Sequence, residues 1–291
     1  MERSFLTPKH VVVDIENEAG SVVLTAVDTA STTVWLEADS PASADLVERA
    51  TVESWPAGDR DVVRIRIPHP QGMRFVRRGG VTVRVDMPLH GDVDIKTASA
   101  DVELNGTMGN IAVKSASGDI TADDATGHVE VTTASGDLSL ENVGGDLRTH
   151  SASGDIRVIS VDGRATVTGQ SGDIEIGSVD RGADIRTASG DIRLGEVAGD
   201  TSVGGVSGDV RVLSFALGNL RIRSVSGDVT VGIPHGTQFM VDASSMSGSV
   251  SSEIPLESSP AGTAESPAVS VTARSVSGDF LMERAVGSLV A

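Results

Sequence analysis

Ser-Gly-Asp recurs through the middle of this 291-residue sequence, starting at Ser117, Ser135, Ser153, Ser171, Ser189 and Ser207, each 18 residues after the last. A Ser99-Ala100-Asp101 variant precedes the series, and Ser226 follows it after 19 residues. If coils of that length stack, Asp119, Asp137, Asp155, Asp173, Asp191 and Asp209 form one column of carboxylates. Such close acids repel unless backbone N–H groups, serine hydroxyls or cations answer them. Calcium is the cation the column would take, because glycine-rich nonapeptide repeats bearing Asp hold Ca²⁺ between coils. Here, however, each nine-residue half has one Gly rather than a Gly-Gly-x-Gly-x-Asp run, and the second half lacks its Asp at His128, Arg164 and Thr201. Turn architecture therefore ranks above metal binding: Gly supplies the positive φ of a turn, and Asp accepts from backbone N–H groups two residues on. No cofactor is expected, and calcium on those six aspartates is the alternative.

Other chemistry is thinly supported. Cysteine is absent, which removes thiol nucleophiles, thiolate metal sites and disulfides. The six histidines (His10, His69, His90, His128, His150 and His235) are scattered, and no pair has metal-ligand spacing. His128 and His150 fall at outward places. Arg157, Arg193 and Arg211 share an outward column with Glu175 between them, which suits a ladder of ion pairs as well as an acid-base cleft. There is no Tyr, and the two Trp, Trp35 and Trp55, lie near the N-terminus, so the repeats lack platforms for sugar rings. No catalytic residue is assigned.

The elements that must position the aspartates are short strands. Each 18-residue unit divides into two nine-residue halves with apolar residues at the fourth and sixth places, the period-two mark of a strand with one buried face. Down the repeats this gives Ile120, Leu138, Ile156, Ile174, Ile192 and Val210 in one file, with Ile111, Val129, Leu147, Ala165 and Ala183 in the second half. A corner file runs Ala125, Val143, Val161, Val179, Val197 and Phe215. The fold class expected is all-β: a parallel β-helix or β-solenoid of about 18 residues per coil with strands stacked at about 4.8 Å, right-handed by the usual crossover preference.

The chain divides into an N-terminal β cap over residues 1–90, a regular solenoid over 91–232, and irregular coils over 233–291 with a mobile loop at 255–268, all in one continuous domain. Helical spacing fits only Ala42 to Val52. Phe280 and Met282 are expected to form the final, more apolar rung. Gly72 to Gly80 holds a local basic cluster, Arg74, Arg77 and Arg78, read as a solvated turn.

The net charge is −18, and the aspartates of the repeated triplet supply much of it. Such acidity disfavours nucleic acid and anionic membranes, whose binding needs clustered cations. The sequence shows no secretory h-region and no long apolar run, so a cytoplasmic location is the expectation.

Asn17-Glu18-Ala19-Gly20-Ser21-Val22, the proline-ended strand Val81 to Pro88, the Thr-Ala-Ser-Gly-Asp blocks as at Thr133 to Asp137, and Arg274 to Asp279 together carry a resemblance. The chain resembles a bacterial family of β-strand-repeat proteins of unknown function, often labelled candidate adhesins. The resemblance implies a β-helix-like fold and carries over no catalytic residue. Function is accordingly expected to be a non-enzymatic structural or interaction role, with a protein partner or self-association and no small-molecule ligand. The alternatives are a carbohydrate-active β-helix enzyme, which would need a cleft flanked by Asp and Arg, and a calcium-binding repeat protein.

Overall fold

The computed structural model describes residues 1–68, 79–255 and 268–285. The chain is all-β and forms two compact units, Met1–Gly145 with Thr149–Ser153, and Asp146–Arg148 with Gly154–Ala291. The Arg74, Arg77 and Arg78 cluster, the Pro-rich part of the 255–268 loop and the tail beyond residue 285 lie outside the described residues.

The first unit is built on the strand His10–Val27. Val11, Val13, Ile15, Val22 and Leu24 alternate inward along it and are buried. Both halves lie parallel on Asp92–Met108; elsewhere the first half pairs with Arg60–Arg66 and the second with Val81–Pro88. Gly20, at φ +112, turns the chain between the halves. Three antiparallel strands then end the parallel pairing: Ser31–Ala38 lies on Val81–Pro88, Glu2–Leu6 on Ser31–Ala38, and Thr51–Ala57 on Arg60–Arg66. The last carries Pro56, which lacks the N–H that would recruit another strand. A short helix, Ala44–Arg49, falls within the stretch whose spacing fits one, and it buries Leu46.

Onto Asp92–Met108 the regular rungs are laid. Val93 pairs with Ile111 and Ile111 with Val129, while Val102 pairs with Ile120 and Ile120 with Leu138, all in parallel. The variant Ser99-Ala100-Asp101 is explained here. It lies inside one continuous strand, Ala100 is fully buried, and its backbone is not in the positive-φ region that the later triplets require.

The second unit continues the pattern. Ile156, Ile174, Ile192, Val210 and Val229 pair serially, and so do Val161, Val179, Val197 and Phe215 in the corner file. The expected final rung is displaced. Val269–Ser277 pairs with the 218–226 part of Val210–Ser226 on one side and with Phe239–Ser247 on the other. Phe280–Arg284 likewise lies between Val229–Ile233 and Val250–Ser252. The coil that comes later in sequence is thus inserted beneath the earlier one. Burial gives the reason: Val269, Val271, Phe280 and Met282 are buried and need a coil on each side, whereas Phe239, Val241 and Val250 in the outer coil are not fully covered.

Glycine at the turn is obligatory in this geometry. Gly190 sits at φ +118, and a Cβ there would run into the carbonyl of Gly172 one coil below. Gly190→Ala should therefore destabilise the chain by about 2 kcal/mol or more in denaturant unfolding. Gly205 is the contrary case: it has an ordinary strand backbone, open space where a side chain would go, and Thr187 and Ser224 as its partners in the neighbouring coils. Gly205→Thr should raise the melting temperature, with about 0.5–1 kcal/mol gained from the reduced freedom of the unfolded chain.

Candidate functional site

The six candidate aspartates lie on the turns, and the carboxylates of Asp119, Asp155, Asp173, Asp191 and Asp209 bind the protein's own backbone. In the first unit the N–H of Asp119 donates to Oδ1 of Asp101 at 3.1 Å, and that of Asp137 to Oδ1 of Asp119 at 2.9 Å. In the second unit Asp155 Oδ1 accepts from Asp173 at 2.9 Å, and Asp173, Asp191 and Asp209 each accept from the next aspartate at 2.8 Å. The series runs on from Asp228 to Asp279 and ends on the N–H of Ser249, both at 2.8 Å, following the inserted order of the coils. The expected acceptor pattern, N–H groups two residues on in the same turn, is replaced by a bond to the next coil.

Each link is reciprocal. As the N–H of Asp173 reaches down to the Asp155 carboxylate, the N–H of Ile156 reaches up to the Asp173 carbonyl at 2.9 Å. Aligned donors answer the repulsion between stacked acids, because a hydrogen bond to a carboxylate favours its charged form. The two bonds from Ser249 hold the Asp279 carboxyl below the usual range. Among the described residues no group of three or more His, Asp or Glu converges in a way that could hold a metal ion.

A second file of the same kind was hidden in the other half of the coil. Asp92 Oδ1 accepts from both the N–H and the side-chain amide of Asn110, Asn110 Oδ1 accepts from the N–H of His128, and Asp146 Oδ1 from the N–H of Arg164. Its later member is Asp200 rather than Thr201, and Asp200 accepts two bonds from Asn219 that lower its pKa. The signal for this file was Asp or Asn at multiples of 18 residues, at Asp92, Asn110, Asp146 and Asp200, with His128, Arg164 and Gly182 interrupting it.

Hydroxyls finish the turns, all of them buried except that of Ser275. Ser115, Thr133 and Ser151 in the first unit, and Thr187, Ser224 and Ser275 in the second, each donate to the carbonyl of the serine two residues on, at 2.8–3.3 Å. Thr149 is different: its hydroxyl is buried without a hydrogen-bond partner, at a place where the repeat has Val131 18 residues earlier.

One further cluster could not be read from sequence, because its members come from distant strands. His10 Nε2 lies 2.9 Å from Asp92 Oδ2, and Arg60 Nη1 lies 3.7 Å from the same oxygen. Burial alone would raise the Asp92 pKa, but the bonds from Asn110 and His10 outweigh it and hold the carboxyl below its ordinary value. Beside it runs a groove of about 260 Å³ lined by Asp92, Asp94, Asn110, Ala112, His128 and Glu130 among others. Ala112 pairs with Asp94 on one side and Glu130 on the other, so it forms the low point between two acids. The lining contains no serine, threonine or arginine.

The outward column of the second unit is present as expected. Arg157 faces Glu175, Glu175 faces Arg193, and Arg193 faces Arg211. Arg157 bonds Glu175 at 3.3 Å and Arg211 reaches Glu283 at 3.5 Å. These groups are exposed apart from the half-buried Glu283, and such surface pairs contribute little to stability. In the first unit Asp14 is gripped by Arg64 and Arg66 at 2.9–3.1 Å. Burial opposes its ionisation, yet those bonds lower its pKa.

Stacked parallel strands with side chains of one type in files define a β-solenoid protein. The chain belongs to the Toastrack DUF4097 family, whose model matches residues 56–176 and 144–283. Among solved structures it is similar to a candidate cell adhesion protein of Clostridium sporogenes, at 10% identity over 98% of this chain and 99% of that one, with a TM-score of 0.28. A candidate adhesin of Bacteroides fragilis matches at 12% identity over 97% and 96%, TM-score 0.39. A third, from Parabacteroides merdae, matches at 12% over 80% and 92%, TM-score 0.29. A search of curated proteins found no match. No helix among the described residues is long and apolar enough to cross a membrane.

Three outcomes follow from this geometry. Thr149→Val, which replaces an unpaired buried hydroxyl with a methyl of the same shape, should stabilise by about 1 kcal/mol in chemical denaturation. Asp173→Asn should fold nearly as well as the parent, since Asn110 already serves as such an acceptor, whereas Asp173→Ala should cost about 1 kcal/mol. Asp14 and Asp92 have native pKa values below the ordinary aspartate value of 3.8, so their contribution is full above that value and lost as pH falls through the lowered native values. Acid titration of stability should therefore show a steeper loss below about pH 4 in the parent than in a chain carrying Asp14→Asn and Asp92→Asn.

Proposed function

We propose that this protein is a non-enzymatic interaction scaffold that acts through the surfaces its coils display. One observation carries the reading: the repeat's aspartates, turn glycines and inward hydroxyls are engaged between or within coils, while the outward strand positions differ from coil to coil. The groups that recur hold the framework, and those that vary face outward. A rigid frame of this kind presents side chains at strand spacing with little entropy left to lose on binding.

The groove beside Asp92 is where a carbohydrate-active enzyme would have to act, because Asp92, Asp94 and Glu130 line it and Arg60 lies 3.7 Å from Asp92. Paired carboxylates are the groups that cleave a glycosidic bond, so this second reading is separated from the scaffold by the assay that follows. Calcium on the aspartate turns is a separate proposal, and it would have to use carboxylate oxygens other than those already accepting N–H bonds.

The test is a panel of neutral and acidic polysaccharides assayed for new reducing ends and unsaturated products, run beside light scattering over a hundredfold range of protein concentration. No product, together with a mass that rises above the 29.8 kDa monomer or a saturable protein partner, is the expected result. Turnover that disappears with Asp94→Asn or Glu130→Gln would replace the scaffold with an enzyme. A strict monomer with no partner would also overturn the reading.

A further inference from the structure

The second-half strands of the second unit carry a surface that the repeat does not require. The residue before each triplet serine is Ala98, Ala116, Ala134, Ala152 and Ala188, with Gln170 the exception, until it changes to Val206, Val225, Met246 and Val276. The serines that follow these four pair in register, Ser207 with Ser226, Ser226 with Ser277, and Ser277 with Ser247, so the four apolar residues fall on successive coils. They are exposed, at 50% for Val206, 47% for Val225, 47% for Val276 and 84% for Met246. Alanine serves the turn in the other coils, and the larger side chains here gain no burial inside the fold.

Two residues back, on the same face, runs a basic column. Arg186 pairs with Gly204, Gly204 with Arg223, Arg223 with Arg274, and Arg274 with Ser244. Arg186 is held by Asp184 at 3.1 Å and Arg274 by Asp242 at 2.7 Å. Arg223 has no ion pair among the described residues, and it lies directly across from Arg274. Arg221, two places earlier on the same strand, faces outward beside it. Like charges placed across a strand pair are unfavourable. The arrangement stands out in a chain of net charge −18, where carboxylates to neutralise it are abundant elsewhere. Gly204 leaves the space between Arg186 and Arg223 open, with only the Arg186 side chain and the Ile185 carbonyl near where a Cβ would be.

We propose that this face, the Arg186, Arg223 and Arg274 column beside the Val206, Val225, Val276 and Met246 ridge, binds an extended acidic segment of a partner protein that carries aliphatic residues next to its carboxylates. The inference rests on the scaffold reading and names its partner chemistry. Carboxylates would pair with Arg223 and share Arg274, and aliphatic side chains would cover the ridge, which neither a bare anion nor an uncharged peptide does. An anionic bilayer is an extended plane that meets the charge of the whole chain, net −18, whereas a short acidic segment lies within a screening length of the arginine column. The face also lacks the aromatic residues on which single-stranded nucleic acid stacks.

The experiment uses the full chain and a fluorescein-labelled synthetic peptide, Glu-Val-Glu-Val between Gly-Ser flanks, followed by anisotropy. Saturable binding that weakens with salt is expected, with Kd rising about fivefold or more for Arg223→Glu and for Val225→Ser combined with Val276→Ser. Arg157→Glu, on the other outward face, should leave Kd unchanged, and thermal melts of all variants should match the parent. Absence of peptide binding, equal loss for Arg223→Glu and Arg157→Glu, or preference for phosphatidylserine vesicles over the peptide would each overturn the proposal. None of these would bear on the polysaccharide assay, so failure here is distinct from failure of the scaffold reading.

Discussion

The bond from the N–H of one turn aspartate to the carboxylate of the aspartate one coil below is the constraint on which the rest depends. It acts with the return bond from the following residue, as in the pair made by Asp155, Ile156 and Asp173. Two directional bonds fix both the height and the register of each turn. Register in a parallel stack otherwise rests on side-chain pattern alone, and a slip of one residue would turn every inward isoleucine and valine to solvent. The glycine before each aspartate is part of the same device. Its positive φ and missing Cβ let the turns approach closely enough for the bond to form, as at Gly190 over Gly172.

The same constraint separates frame from surface. Aspartate, glycine and the inward hydroxyls recur because each has a fixed partner in its own coil or the next. Outward positions have no such partner, and there the chain places acids beside a groove in the first unit and arginines beside exposed valines in the second. The proposed scaffold role uses the positions where the repeat is broken. Arg157 and Glu175 show the opposite case, an outward pair explained by their mutual contact.

The inserted coil shows that sequence order and stacking order need not agree. Val269–Ser277 and Phe280–Arg284 lie inside Phe239–Ser247 and Val250–Ser252 because they can bury both sides of an apolar strand, and the earlier coil cannot. The aspartate series records this order, passing from Asp228 to Asp279 before it reaches Ser249. A rule that reads coils in numerical order fails there, although every local motif in the segment is intact.

From the residues alone, the 18-residue period determined the parallel pairing of Ile120 with Leu138 and of Ile174 with Ile192, the buried corner file ending at Phe215, and the need for glycine at the turns. These are local and periodic properties, and periodicity survives in one dimension. The partner of each carboxylate, the approach of His10 to Asp92, the empty place beneath Arg223 and the reversed order of the last coils were decided only by tertiary structure. Each depends on which atoms meet across strands that are distant or exchanged in sequence, and a repeat pattern states the type of residue at a place without stating its neighbour.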